Sequence, residues 1–180
     1  SGVASSLETI SIFAVLLLLV FEYIATLNFL PFIYRVGIPL YRESVLLTPA
    51  QIPDRLQRQI SRKEGLYQFR SSGHILFRAR GHWAGLFLLD LLIPFRGCAF
   101  VDPTNHLEIV GRLPIGGSLL LITVFGTATF VLDQGDVKIA AIFGLTGVFC
   151  IAGFLVEFWS LKRAAMELRR MLTDGGNAGL

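Results

Sequence analysis

The sequence predicts a membrane α+β protein, with three transmembrane helices and a small antiparallel β domain inserted between helices 1 and 2. Three observations predict it. Apolar residues make up 53% of the chain and charged ones only 16%, whereas soluble domains are about a quarter charged. The apolar residues gather in three blocks, each near the roughly 20 residues that cross a bilayer. Between the first two blocks the hydrophobic period falls to two, which is the pattern of half-buried strands.

The first block runs from Ile10 to Tyr34, with Glu22 and Asn28 its strongly polar residues. It is longer than the ~7–15-residue core of a signal peptide, and the preceding SGVASSLE lacks a basic n-region. Residues 1–34 are therefore read as the N-terminus and the first span. Residues 35–64 read as a basic linker holding one short amphipathic helix. Thr48 is its N-cap and Pro49 its first residue, and Ile52, Leu56 and Ile60 recur beside Arg55, Arg58, Arg62 and Lys63.

Residues 65–114 carry the strands. Leu66 to Arg70 and Ile75 to Arg80 alternate around Ser71-Ser72-Gly73, a hairpin signal. A second pair, Phe95 to Val101 and Leu107 to Leu113, is joined by Asp102-Pro103-Thr104-Asn105. In the last strand Glu108, Val110 and Arg112 face one side, and Leu107, Ile109 and Gly111 the other. Leu86 to Ile93 is apolar but too short to span and carries Asp90, so it fits a buried strand or a surface segment.

Residues 115–160 form a helical hairpin. Its spans, Ile115 to Leu132 and Ile139 to Trp159, meet at Asp133-Gln134-Gly135-Asp136. Residues 161–180 form a basic amphipathic tail. Phe158, Leu161, Ala165, Leu168 and Leu172 make its apolar stripe, and Lys162, Arg163, Arg169 and Arg170 lie off it. Such a helix suits the membrane surface, with those four residues on anionic headgroups. A plain continuation of the third span into water fits equally.

Topology follows from the basic residues. Every Lys and Arg except Lys138 lies between Arg35 and Arg112 or after Ser160. The positive-inside rule then places the N-terminus outside, and the β domain and C-terminus in the cytoplasm.

Motifs for chemistry are missing from the sequence. His74, His82 and His106 lack metal-ligand spacing, and Cys98 and Cys150 read as free thiols. Gly116-Gly117 lacks the Lys-Ser/Thr of a phosphate loop and reads as a flexible entry into the second span. The positive-inside bias accounts for the basic residues without nucleic acid. No cofactor, metal or enzymatic activity is expected.

Intramembrane polar residues are the remaining candidates, because a carboxylate in hydrocarbon needs compensation. Glu22 lies near the middle of the first block, with Thr26 one turn along and Asn28 close by. Thr146, Cys150, Gly153 and Glu157 form a stripe of small and polar residues on the third span, as at helix contacts. The expected function is a non-enzymatic accessory, scaffold or regulatory subunit of a membrane complex. Its partners would be other membrane subunits or further copies of itself, within a bilayer carrying anionic headgroups. A membrane-anchored sensor or lipid/small-ligand binding module is the alternative. A channel or proton-conducting oligomer built on Glu22 is a third.

Overall fold

A computed structural model describes residues 2–47, 58–70, 74–80, 95–102 and 104–174. In chain order the elements are α1 (Gly2–Leu27), α2 (Pro31–Arg35), β1 (Ile38–Leu46), β2 (Arg58–Ser61), β3 (Gly65–Phe69), β4 (His74–Ala79), β5 (Arg96–Val101), β6 (His106–Leu113), α3 (Ile115–Asp133) and α4 (Val137–Asp174). The six strands form one antiparallel sheet in the order β1-β6-β5-β4-β3-β2. Helices α3 and α4 are long and apolar enough to cross a membrane, and α1 contributes a shorter apolar run, Phe13–Leu27.

The first apolar block is not one helix. Helix α1 ends where Phe29 adopts a left-handed φ of 51°. The amides of Phe29 and Leu30 then donate back to the carbonyls of Thr26 (3.2 Å) and Ala25 (3.0 Å), the bonding of a Schellman stop. Glycine is usual there, and tertiary contacts hold Phe29 instead. Its ring stacks on Tyr34 at 5.7 Å, and the Tyr34 hydroxyl donates to the Thr26 carbonyl at 2.9 Å. Pro31 then starts α2, where its missing N–H costs nothing.

The sheet begins far earlier than the alternation at Gly65 indicated. Strand β1 lies within the residues expected to be linker, and it pairs with the last strand, from Ile38↔Leu113 to Leu46↔His106. Ile60 sits in β2 opposite Tyr67, so the expected amphipathic helix does not extend through it. The proposed start of that helix, Thr48 to Gln57, lies outside the described residues, as do Ser71-Ser72-Gly73 and Leu86 to Ile93. The two expected hairpins are present as β3–β4 and β5–β6. In the second, the Asp102 carboxylate accepts from the Thr104 and His106 amides at 2.8 and 3.1 Å, and Asn105 turns through φ 62°.

Period-two alternation gives the sheet two apolar faces, each covered by helix. On one face Tyr67, Phe69, Ile75, Phe77, Ala99, Leu107 and Ile109 pack on Leu161, Ala164, Ala165, Leu168 and Leu172 of α4. The stripe expected at the membrane surface is therefore buried under the sheet, where it removes more apolar area from water than a half-immersed helix could. Gly97 leaves room for the Phe77 ring, and Gly111 for Leu161. On the other face Leu76, Cys98 and Val110 pack on Ala25, Phe29, Ile33 and Tyr34. The order across the domain is α4, sheet, then the end of α1 with α2.

Candidate functional site

Glu22 and Arg96 meet where α1, the sheet and α3 converge. Arg96 opens β5, and its side chain points to the α2 face because Gly97 and Ala99 take the other. Its Nη2 donates to Glu22 Oε1 at 3.0 Å and to the Val36 carbonyl at 3.1 Å, and Nη1 lies 3.5 Å from Thr26 Oγ1. Glu22 is 1% exposed and Arg96 0%, so this is a fully desolvated ion pair.

The same carboxylate caps α3. The Ile115 amide donates to Oε1 at 3.1 Å and the Gly116 amide to Oε2 at 2.8 Å. No side chain of its own caps that helix, which begins after Pro114. Its first N–H groups would lack partners without Glu22, and the positive end of the helix dipole favours a carboxylate there. Gly116 is a close-approach residue rather than a flexible entry, since a Cβ there would stand 2.8 Å from Glu22 Oε2.

Glu22 thus stands level with the first turn of α3, five residues before α1 ends, rather than midway along an apolar rod. Breaking a buried pair of this kind by removing one partner typically costs about 3–5 kcal/mol. Three donors on one carboxylate, with no solvent, make a structural joint.

The other polar residues singled out from sequence distribute unevenly. Thr26 joins the Glu22 cluster through Arg96 and Tyr34. Asn28 is exposed and bonds back to the Ile24 carbonyl at 2.8 Å. On α4, Cys150 and Gly153 are buried, whereas Thr146 is exposed and donates to the Ile142 carbonyl at 2.9 Å. Gly147 is buried in place of Thr146, with Phe125 of α3 filling the space a side chain would need. Glu157 is half-buried. Toward the α3–α4 turn the seam opens into an apolar gap of about 340 Å³ lined by Phe125, Leu132, Val137 and Gly144 among others.

Three of the tail's basic residues, Lys162, Arg163 and Arg169, find partners within the protein. Lys162 Nζ lies 5.6 Å from the Trp159 ring, and Arg163 is 3.7 Å from Glu64. Arg169 pairs with Glu43 of β1. Arg170 borders a recess that also includes Lys63, Glu64, Arg163 and Glu167. Tyr67, whose hydroxyl reaches Glu167 Oε2 at 2.7 Å, has its pKa raised, first by burial and then by that carboxylate.

Arginines crowd the α2 face of the sheet. Arg78, Arg96 and Arg112 are in direct register on β4, β5 and β6. Arg112 Nη1 donates to the Gly37 carbonyl at 3.3 Å, and Arg78 lies 5.6 Å from the Phe29 ring. Arg70, just beyond β3, reaches the Phe29 carbonyl at 2.9 Å. Cys98 lies among them, its thiol pushed up in pKa by burial against the opposing pull of Arg112. Arg35 stands 3.4 Å from His74, whose pKa is lowered by burial and then by that cation. Among the described residues no His, Cys, Asp and Glu cluster has the makings of a metal site.

Arg96 was missed from sequence. The available signal was its isolation, one arginine among Phe95, Gly97, Cys98 and Ala99, matching one isolated carboxylate in an apolar helix. Seventy-four positions of separation left nothing local to connect them. No family model, curated protein or solved structure matches this chain.

Proposed function

We propose that the chain is a non-enzymatic, multi-pass integral membrane subunit that scaffolds or regulates a larger complex through protein contacts. Helices α1, α3 and α4 are its three spans, with the N-terminus outside and the sheet and C-terminus in the cytoplasm. The observation that carries the reading is the use made of the chain's buried charges. Glu22 and Arg96 are consumed in fastening two apolar helices to the sheet, through four hydrogen bonds among α1, β5 and α3. Large apolar side chains stay exposed along α1 (Phe13, Leu17, Phe21), α3 (Ile122, Phe130) and α4 (Leu145, Val148, Phe149). Such surfaces belong in lipid or against partner helices. At about 1.5 Å per residue, the 26 residues of α1 reach ~39 Å, enough for a span.

Two experiments test this. Purification in mild detergent, with identification of co-eluting proteins, should yield a stoichiometric membrane partner or a defined homo-oligomer; a monodisperse monomer from native membranes would sink the scaffold reading. Single cysteines at Gln134 and Asn105, in a background with both native cysteines replaced, test the orientation. Gln134 should react with an impermeant reagent in intact cells and Asn105 only after lysis, and the opposite order inverts the topology. A conducting oligomer built on Glu22 predicts that Glu22→Gln abolishes ion flux while leaving assembly intact. The scaffold reading predicts no flux from the wild type.

A further inference from the structure

The arginines on the α2 face outnumber the acidic groups that share it: Glu22 bonds to Arg96, and Glu108 pairs with Arg42 of β1. Arg78, Arg96 and Arg112 occupy neighbouring positions in one cross-strand row, Arg78↔Arg96 and Arg96↔Arg112. Strands lie about 4.8 Å apart, and like charges directly opposite one another destabilise a sheet. One carboxylate, Glu22, reaches this row, and it bonds to Arg96 while also capping α3. Arg112 has the Gly37 carbonyl as its partner, and Arg78 has an aromatic ring. Neither neutralises charge.

A second, independent observation points to an acceptor from outside the chain. Among the described residues, the buried side-chain polar atoms without a hydrogen-bond partner are the Nε groups of Arg70, Arg78, Arg96 and Arg112. All four belong to this one face, and Arg96 is wholly buried. Native proteins rarely leave a buried donor without an acceptor, and the donors of Arg78 and Arg112, level with one another on either side of Arg96, suit an anion from outside, whereas Arg70 stands beside His74 toward the other end of the sheet. The row lies at the end of the sheet from which α3 departs, since Leu113 ends β6 and Ile115 begins α3. That end is level with the first turn of the apolar hairpin, which is headgroup depth if the hairpin spans.

We propose that Arg78 and Arg112, flanking Arg96, bind a phosphate group, supplied by an anionic phospholipid headgroup or by free phosphate. The guanidinium fork matches the spacing of phosphate oxygens and binds them in pairs, which ammonium groups do not do. Both arginines are half-buried, so an oxygen can reach them from outside while much of the water is excluded. The site does not depend on the scaffold reading. It requires the sheet and α2, whatever the helices contact.

The test uses the full chain in neutral detergent, with melting temperature and lipid-resolved native mass spectrometry as readouts. Phosphatidylglycerol, phosphatidylcholine and inorganic phosphate are the three probes. Phosphatidylglycerol should raise the melting temperature and remain bound, and Arg78→Gln with Arg112→Gln should weaken it about tenfold or more. Arg163→Gln, at the recess by Glu64, should leave that affinity unchanged. Stabilisation by inorganic phosphate alone, lost in the same double variant, assigns the site to a soluble source. In ligand-free detergent the double variant should melt higher than wild type, because it relieves repulsion that no anion then offsets. A merely structural role predicts a lower melting temperature and no probe dependence. Equal binding of phosphatidylglycerol and phosphatidylcholine with no effect of phosphate, or unchanged binding in the double variant, overturns the proposal.

Discussion

The two faces of the sheet are built on opposite principles. Toward α4 the interior is dry and apolar, with five helix side chains (Leu161, Ala164, Ala165, Leu168 and Leu172) at or near zero exposure over aromatic and branched strand residues. Toward α2 it holds arginines in register, a buried ion pair and a thiol among a handful of apolar contacts. The first face is stabilised by area removed from water, and it would accept any well-packed helix of suitable shape. The second is stabilised by a few directional bonds and admits one arrangement of α1, α2 and α3. Adhesion and registration are thus divided between the faces, a contrast that substitutions can break or sharpen.

The largest effect belongs to the charged face. Glu22→Leu leaves Arg96 buried without its counter-ion and strips the cap from α3, and should cost about 3–5 kcal/mol of unfolding free energy in detergent. Glu22→Gln keeps acceptor oxygen for the donors and should cost less. Adding Arg96→Met to Glu22→Leu should recover part of the loss, and a double variant as weak as the sum of both singles would count against the joint. Next comes the apolar face. Leu168→Ala removes a fully buried side chain between α4 and the sheet and should cost about 2–4 kcal/mol, with α3 unaffected by hydrogen exchange. Gly116→Ala forces a methyl against the Glu22 carboxylate and Leu19, and about 1–3 kcal/mol of overpacking should follow. It should loosen α3 rather than α4.

The smallest effect is with pH. The His74 pKa is lowered in the folded protein, so the unfolded chain binds more protons as pH falls below its ordinary value near 6.5. Stability contributed at neutral pH by the uncharged ring should therefore decline on acidification through that window. His74→Gln should flatten that part of the stability–pH curve, and a curve identical to wild type would show that the ring escapes Arg35.

Legibility in the sequence followed how local each cause was. Strands β3, β4 and β6 were readable because Tyr67, Phe69, Ile75, Phe77, Leu107 and Ile109 recur at every second position and sit beside recognisable turns. Strand β1 was not. It is an edge strand carrying Pro39, Arg42 and Glu43, with Ile38, Leu40 and Leu46 left exposed, so its pattern resembles a basic linker. Ile60 in β2 continued a fourfold spacing from Ile52 and Leu56 that suited a helix. The stripe on α4 was visible as a stripe, but an apolar stripe does not name its partner, and the sheet was one choice beside the bilayer. Glu22 was conspicuous for its cost in an apolar setting. Its place near the end of a helix was not legible, because Phe29 stops α1 in a conformation that sequence associates with glycine. The row of arginines could not be seen at all before register joined three separate strands.

The covering of the sheet by α4 has a consequence in time. Strands β2 to β6 leave the ribosome well before Leu161, which follows Leu113 by roughly 50 residues, several seconds at ~5–20 residues per second. Until then Tyr67, Phe77, Leu107 and Ile109 have no helix to cover them, and α3 and most of α4 must be made first. The sheet can pair early yet cannot finish folding until Leu161 to Leu172 have emerged. Truncation ahead of Ser160 would leave a sheet with one bare hydrophobic face, a species suited to recognition by quality-control machinery.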